Sequence, residues 1–176
     1  KLLPDGNKSI TALQSKFEGI EGITIDSMST TNAEVDSLPL MGNITFSSKG
    51  TTSGDYSYFK LNLFTGLEKN PFVAEERNSD IFFSANQKYE VHGVIFLPDG
   101  YTMEALPKNL RMIMPDTSIS FTRQCSFADG MLSTHYKLQF LKPFFTKEQY
   151  PEFREFYKKL LDLMNEPFVY KKEGKK

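Results

Sequence analysis

The side chains best suited to nucleophilic or metal chemistry in this sequence are one cysteine, Cys125, and two histidines, His92 and His135. A thiol becomes a working nucleophile when an imidazole within hydrogen-bond reach can take its proton, so Cys125 with His135 is the first pair to test. Both lie in 119–140, ISFTRQCSFADGMLSTHYKLQF, where Asp129-Gly130 stands between two alternating segments. That dipeptide favours a two-residue type I′ turn, because both positions need positive φ and these residues tolerate it. Counting outward from Ala128 opposite Met131, the pairs Phe127–Leu132, Cys125–Thr134, Arg123–Tyr136, Phe121–Leu138 and Ile119–Phe140 share an oily face. Ser126–Ser133, Gln124–His135, Thr122–Lys137 and Ser120–Gln139 share a wet one. Thiol and imidazole therefore project from opposite surfaces, and Cys125 is expected to be an inert core residue whose pKa burial raises.

The remaining candidates are weaker. His92 precedes Gly93 on a strand and has no HxH or HExxH motif and no acidic or histidine cluster at ligand spacing around it, so a transition-metal site is not expected. Glu75 and Glu76 with Asp80 offer loop carboxylates for acid/base work or calcium; a salt bridge to Arg77 that pins the loop is the preferred reading. Tyr56 and Tyr58 share a strand face and could stack on sugars or bind a partner, although cross-strand packing accounts for them as well. GxGxxG, GxxxxGK[ST] and GxSxG are all missing. Asn43-Ile44-Thr45 and Asn7-Lys8-Ser9 match the glycosylation triplet, which occurs often by chance. The expectation is no catalytic residue, no cofactor and no metal, with Tyr56, Tyr58, Glu75, Glu76, Arg77 and His92 as the candidate binding surface.

Composition narrows the partners. With 21 basic and 22 acidic residues the net charge of -1 exerts no general pull on nucleic acid or anionic membrane. One cysteine excludes an intrachain disulfide and a cysteine metal cluster. Neither a bilayer-length apolar run nor a signal-like segment is visible, and a chain that opens on Lys1 reads as a processed form or part of something longer. Sixteen Phe and eight Tyr without Trp lean towards β-structure.

The elements that must position these residues follow from period and turn chemistry. A short amphipathic helix is predicted over Ser9–Phe17, then β segments from Ile20, with Ser27–Asn32 dissolving into a polar loop. Strands are expected in Leu38–Ser48, Asp55–Phe64 and Lys88–Leu97, the last with Glu90, His92, Val94 and Phe96 on one side. Thr65–Ala85 is a long connection ending in Ile81-Phe82-Phe83. Pro98-Asp99-Gly100 turns the chain so that Tyr101–Leu106 returns, and Leu110–Met114, bounded by prolines, reads as an edge or sheet-switching strand. Thr146 and Gln149 have capping-box spacing ahead of a main helix over about 151–165, whose stripe is Phe153, Phe156, Tyr157, Leu160 and Met164. Pro167 stops it, and Phe168-Val169-Tyr170 begins a closing strand. The sum is a mainly β protein: one antiparallel β-sandwich domain over 1–176, immunoglobulin-like in the broad sense, with sheets over about 20–145, a short N-terminal helix, one C-terminal amphipathic helix and a closing strand over 168–172.

Several short strings occur in a familiar order. They are Ser53-Gly54-Asp55-Tyr56-Ser57-Tyr58-Phe59, Leu63-Phe64, Glu68-Lys69-Asn70-Pro71-Phe72 and Glu75-Glu76-Arg77, then Leu97-Pro98-Asp99-Gly100-Tyr101, Leu106-Pro107 and Tyr150-Pro151-Glu152-Phe153-Arg154-Glu155-Phe156. Together, from about Ile20 to Lys172, the chain resembles the C-terminal domain of unknown function that follows a transglutaminase-like domain in a family of bacterial envelope proteins. The resemblance implies a β-sandwich appendage in the periplasm or at the cell surface. Its partner would be a neighbouring papain-like catalytic domain, or a protein, peptide or glycan ligand. No Cys, His and Asp of that catalytic domain is matched here, so no catalytic residue carries over.

Overall fold

The computed structural model describes residues 22–60, 62 and 69–173. The chain divides into two compact units, 1–52 and 53–176. In the first, β1 (Ile23–Thr31) pairs antiparallel with β2 (Met41–Ser48). The polar run expected to be loop is strand as far as Thr31, with Ser29 opposite Asn43 and Thr30 opposite Gly42. A bulge between Ile25 and Ser27 resets the alternation, so the simple period-2 pattern breaks while pairing continues. The helix predicted over Ser9–Phe17 lies outside the described residues.

The second unit is built on two four-stranded antiparallel sheets. One has β6 (Gln87–Phe96), β10 (Met131–Phe140), β9 (Ile119–Ala128) and β8 (Leu110–Ile113) in that order. The other has β3 (Thr51–Ser53), in which the boundary between units falls, then β4 (Tyr56–Phe59), β12 (Phe168–Lys172) and β7 (Tyr101–Ala105). A two-strand pair joins β5 (Ile81–Phe82) to β11 (Phe144–Phe145). The expected return of Tyr101–Leu106 does not run beside β6. After Pro98-Asp99-Gly100, with Gly100 at φ 78°, β7 leaves for the other sheet and lines up on β12. β8 then comes back to the edge of the first sheet, the switching role its flanking prolines suggested.

The β9–β10 hairpin turns at Asp129 and Gly130, at φ 51° and 73°, and every predicted pair from Ala128–Met131 to Ile119–Phe140 is found. Ile119, Phe121, Cys125, Leu132, Tyr136, Leu138 and Phe140 of its inner face are buried. Facing chemistry comes from α1 (Tyr150–Met164), preceded by a turn of 3-10 helix at Lys147–Gln149, where Gln149 Oε1 accepts the Thr146 N–H. Its buried stripe runs through Phe153, Phe156, Tyr157, Leu160, Leu161 and Met164, with the Glu155–Lys159 ion pair on the outer side. Phe153 sits among rings of Phe72, Phe145 and Tyr157 at centroid distances of 4.7, 4.9 and 5.8 Å. Phe168 of β12 joins the same core cluster. The mainly β, antiparallel class with one C-terminal helix is thus what the chain adopts, and the helix contributes more of the core than the second sheet does.

Arg123 lies on the oily face and is 1% exposed. Its Nε donates to the Lys108 carbonyl at 3.0 Å, Nη1 to the Leu163 carbonyl and Nη2 to Glu166 Oε2 at 2.7 Å. Leu163 is in the last turn of α1, where carbonyls lack helical partners and the helix dipole favours a cation. One guanidinium therefore ties the end of the helix to the sheet.

Candidate functional site

Residues of β6 and β10 bring three ligand-type side chains together on the wet face of the hairpin sheet. On β6 the period of two brings Glu90 and His92 to one side. The β6–β10 register then sets His92 directly opposite His135, and the two imidazoles stack at 4.2 Å, 10° from parallel. Glu90 Oε1 lies 2.9 Å from His135 Nε2 and 3.6 Å from His92 Nε2. Lys88 Nζ takes the other carboxylate oxygen, Oε2, at 2.6 Å. The Lys88 hydrogen bond, then that of His135, holds the Glu90 carboxyl down at about 2. Gln124, the neighbour of His135 on β9, places Oε1 3.5 Å from its Nδ1. Donor atoms of Glu90, His92 and His135 all fall within 4.8 Å of one another. Sequence spacing gives no sign of this cluster, because His135 stands far from His92 along the chain and only strand pairing makes them neighbours.

The other predicted residues are dispersed. Tyr56 and Tyr58 flank buried Ser57 on β4, and their register partners on β12 are Lys171 and Val169. Tyr56 is exposed, Tyr58 half-buried, and Lys171 beside them is paired with Glu104. Glu75, Glu76 and Arg77 border an open groove shared with Asn78, Lys147, Glu148, Tyr150 and Pro151. The expected ion pair of a loop glutamate with Arg77 is replaced by other ties. Arg77 Nε donates to the Ser79 carbonyl at 2.9 Å and its guanidinium lies 6.0 Å from the Tyr150 ring centroid. Tyr150 Oη donates to the Ala74 carbonyl, Arg154 to that of Val73, and Asp80 accepts the Lys147 N–H. This segment of the long connection is thus strapped to the start of α1. His92 is on the sheet with Glu90 and is not in that groove.

Cys125 is buried on the inner face, where burial first raises its pKa. Its polar neighbour there is the Tyr136 hydroxyl, which is itself pushed upward by burial and has no oxygen or nitrogen partner. His135 is on the opposite face, so no thiol–imidazole pair forms.

Comparison with known proteins places this geometry in a family. No curated protein matches the chain. A solved structure from Parabacteroides distasonis ATCC 8503, of a protein described provisionally as a protease, shares the fold with a TM-score of 0.50 at 13% identity. The likeness covers 91% of this chain and 25% of that one, so the chain spans about a quarter of the length of the structure it matches. A family model described as a domain of unknown function with solved structure, DUF3858, matches residues 55–170. That span is more than half of the sequence, and the chain belongs to the DUF3858 family.

Proposed function

We propose that this chain is a non-catalytic accessory part of a longer bacterial envelope protein, in the periplasm or at the cell surface, where it packs against and positions a transglutaminase-like catalytic portion. The observation that carries this reading is an apolar patch at one end of the β6–β10 ribbon. Phe96 is 74% and Val94 56% exposed on one face of β6, and Met131, opposite Phe96 on β10, is exposed as well. β6, ten residues long, is also an outer strand of its sheet, and among the described residues no strand pairs with its far edge. Exposed apolar clusters beside a long open edge are what soluble domains avoid unless something covers them. A fold that corresponds to a quarter of a longer chain supports the remainder of the polypeptide as the cover. Burial of Cys125 on the face opposite His135 supports the non-catalytic reading.

Hydrogen exchange tests this directly. Amides of Gln87–Phe96 are expected to exchange more slowly in the full-length protein than in the 176-residue chain, and Phe96→Asp in the full-length protein should abolish the difference. Equal exchange in both would refute the docking role. The alternative of a glycan- or peptide-binding module draws on the outward pair Tyr56 and Tyr58. Titration with cell-wall glycans that leaves the resonances of those tyrosines unmoved removes it.

A further inference from the structure

We propose that Glu90, His92 and His135 form a surface site for one divalent transition-metal ion of the zinc class. This does not rest on the accessory role. The ladder fixes the site's geometry: His92 and His135 are direct register partners, and Glu90 is two residues along the same strand face, so no backbone movement is needed to bring the donors together. Both Nε2 atoms already converge on one carboxylate oxygen, at 2.9 and 3.6 Å. Tetrahedral coordination with metal–donor distances near 2.0–2.1 Å requires donor–donor edges of about 3.3 Å, and the two observed separations lie on either side of that value. The nearly parallel imidazoles must tilt towards each other to aim both Nε2 atoms at one ion, a rotation that the exposed His92 is free to make.

The surroundings suit the same role. Lys88 occupies Oε2 of Glu90 and leaves Oε1 towards the imidazoles, which sets a monodentate carboxylate. Glu90 Oε1 accepts from His135 Nε2–H in the metal-free chain; an ion that takes the place of that proton leaves the ring N–H on Nδ1, where Gln124 Oε1 lies 3.5 Å away to accept it. Such second-neighbour hydrogen bonds orient metal-binding histidines and raise their basicity. Two imidazoles and one carboxylate select zinc, nickel, cobalt or copper over magnesium and calcium, which prefer all-oxygen shells. His92 is exposed, so water completes the shell and leaves coordination positions open to an incoming ligand.

The test uses the 176-residue chain stripped with a chelator, titrated with Co2+ by visible absorption and with Zn2+ in competition with a chromophoric chelator. One ion per chain is expected. His92→Ala and His135→Ala should each weaken binding by more than about tenfold, the scale of losing even an orienting contact at a metal site. His92→Ala removes an exposed side chain, so its far-UV circular dichroism and urea midpoint in the absence of metal should match the parent and separate lost ligation from lost fold. Failure to saturate with either ion overturns the proposal. So does undiminished affinity in the His92→Ala/His135→Ala double variant, and the stacked pair is then only a hydrogen-bonded partner of Glu90.

Discussion

Replacing Arg123 by Met keeps most of the side chain's length and removes its charge. The guanidinium is 1% exposed and serves two backbone carbonyls, of Lys108 and Leu163, besides Glu166. Each carbonyl left buried without a donor costs about 1–3 kcal/mol, roughly 2–6 together. Against this, Met brings apolar burial and avoids desolvating a cation, which recovers about 2 kcal/mol. The expected net loss is about 0–4 kcal/mol with a midpoint near 2, or on the order of 4–8 °C in Tm for a chain of this size. Glu166→Ala should cost less, about 0.2–1 kcal/mol. Glu166 is 43% exposed, so its attraction for Arg123 is screened, and its removal lets water reach Nη2 while both carbonyl bonds persist. Urea unfolding followed by tyrosine fluorescence, usable because the chain has no Trp, gives both numbers. If Glu166→Ala proves as costly as Arg123→Met, the ion pair and not the carbonyls ties the helix end to the sheet. If Arg123→Met is within about 0.5 kcal/mol of the parent, the buried cation contributes nothing and the reasoning fails.

Gly130→Ala meets no atom within 4 Å and should cost about 1 kcal/mol through positive φ alone, checked by the urea midpoint; no loss would mean that the turn is not the one described. Cys125 should react with a disulfide reagent at pH 8 more than about tenfold slower in the native chain than in denaturant, since burial raises its pKa and limits access. Burial pushes Asp116 upward, but hydrogen bonds from Lys142 and Ser118 outweigh it and its pKa is lowered overall. A depressed folded pKa gives stability that is present above the ordinary aspartate value and lost as pH falls through the folded one. Asp116→Asn should therefore destabilise at neutral pH, and the difference from the parent should shrink on acidification; a pH-independent difference would contradict it.

The hairpin was legible from Asp129-Gly130 alone, because a two-residue turn leaves one register and the register assigns every side chain a face. That register by itself sends Cys125 and His135 to opposite faces. The helix was equally plain from its stripe and from Thr146, Gln149 and Pro151. What sequence could not supply was which strands lie side by side. Glu90 and His92 already shared a face, yet His135 joins them only through the β6–β10 pairing, which no local turn encodes. The same gap hid the departure of β7 to the other sheet. Arg123 was placed on the oily face opposite Tyr136, and a cation there signals a hidden set of acceptors; their identity, the end of α1, is a tertiary fact.

β12 pairs on one side with β4 and on the other with β7, so an inner rung of that sheet is contributed by the last of the described strands to be synthesised. Until residues 168–172 emerge from the ribosome, β4 and β7 have no shared partner, and the sheet is completed only after translation has passed them. Contacts between such remote positions carry the full entropic cost of closing a long loop, which slows their formation. A premature stop just before Phe168 would accordingly disable strands laid down far upstream, and chaperone capture of the nascent polypeptide would be prolonged.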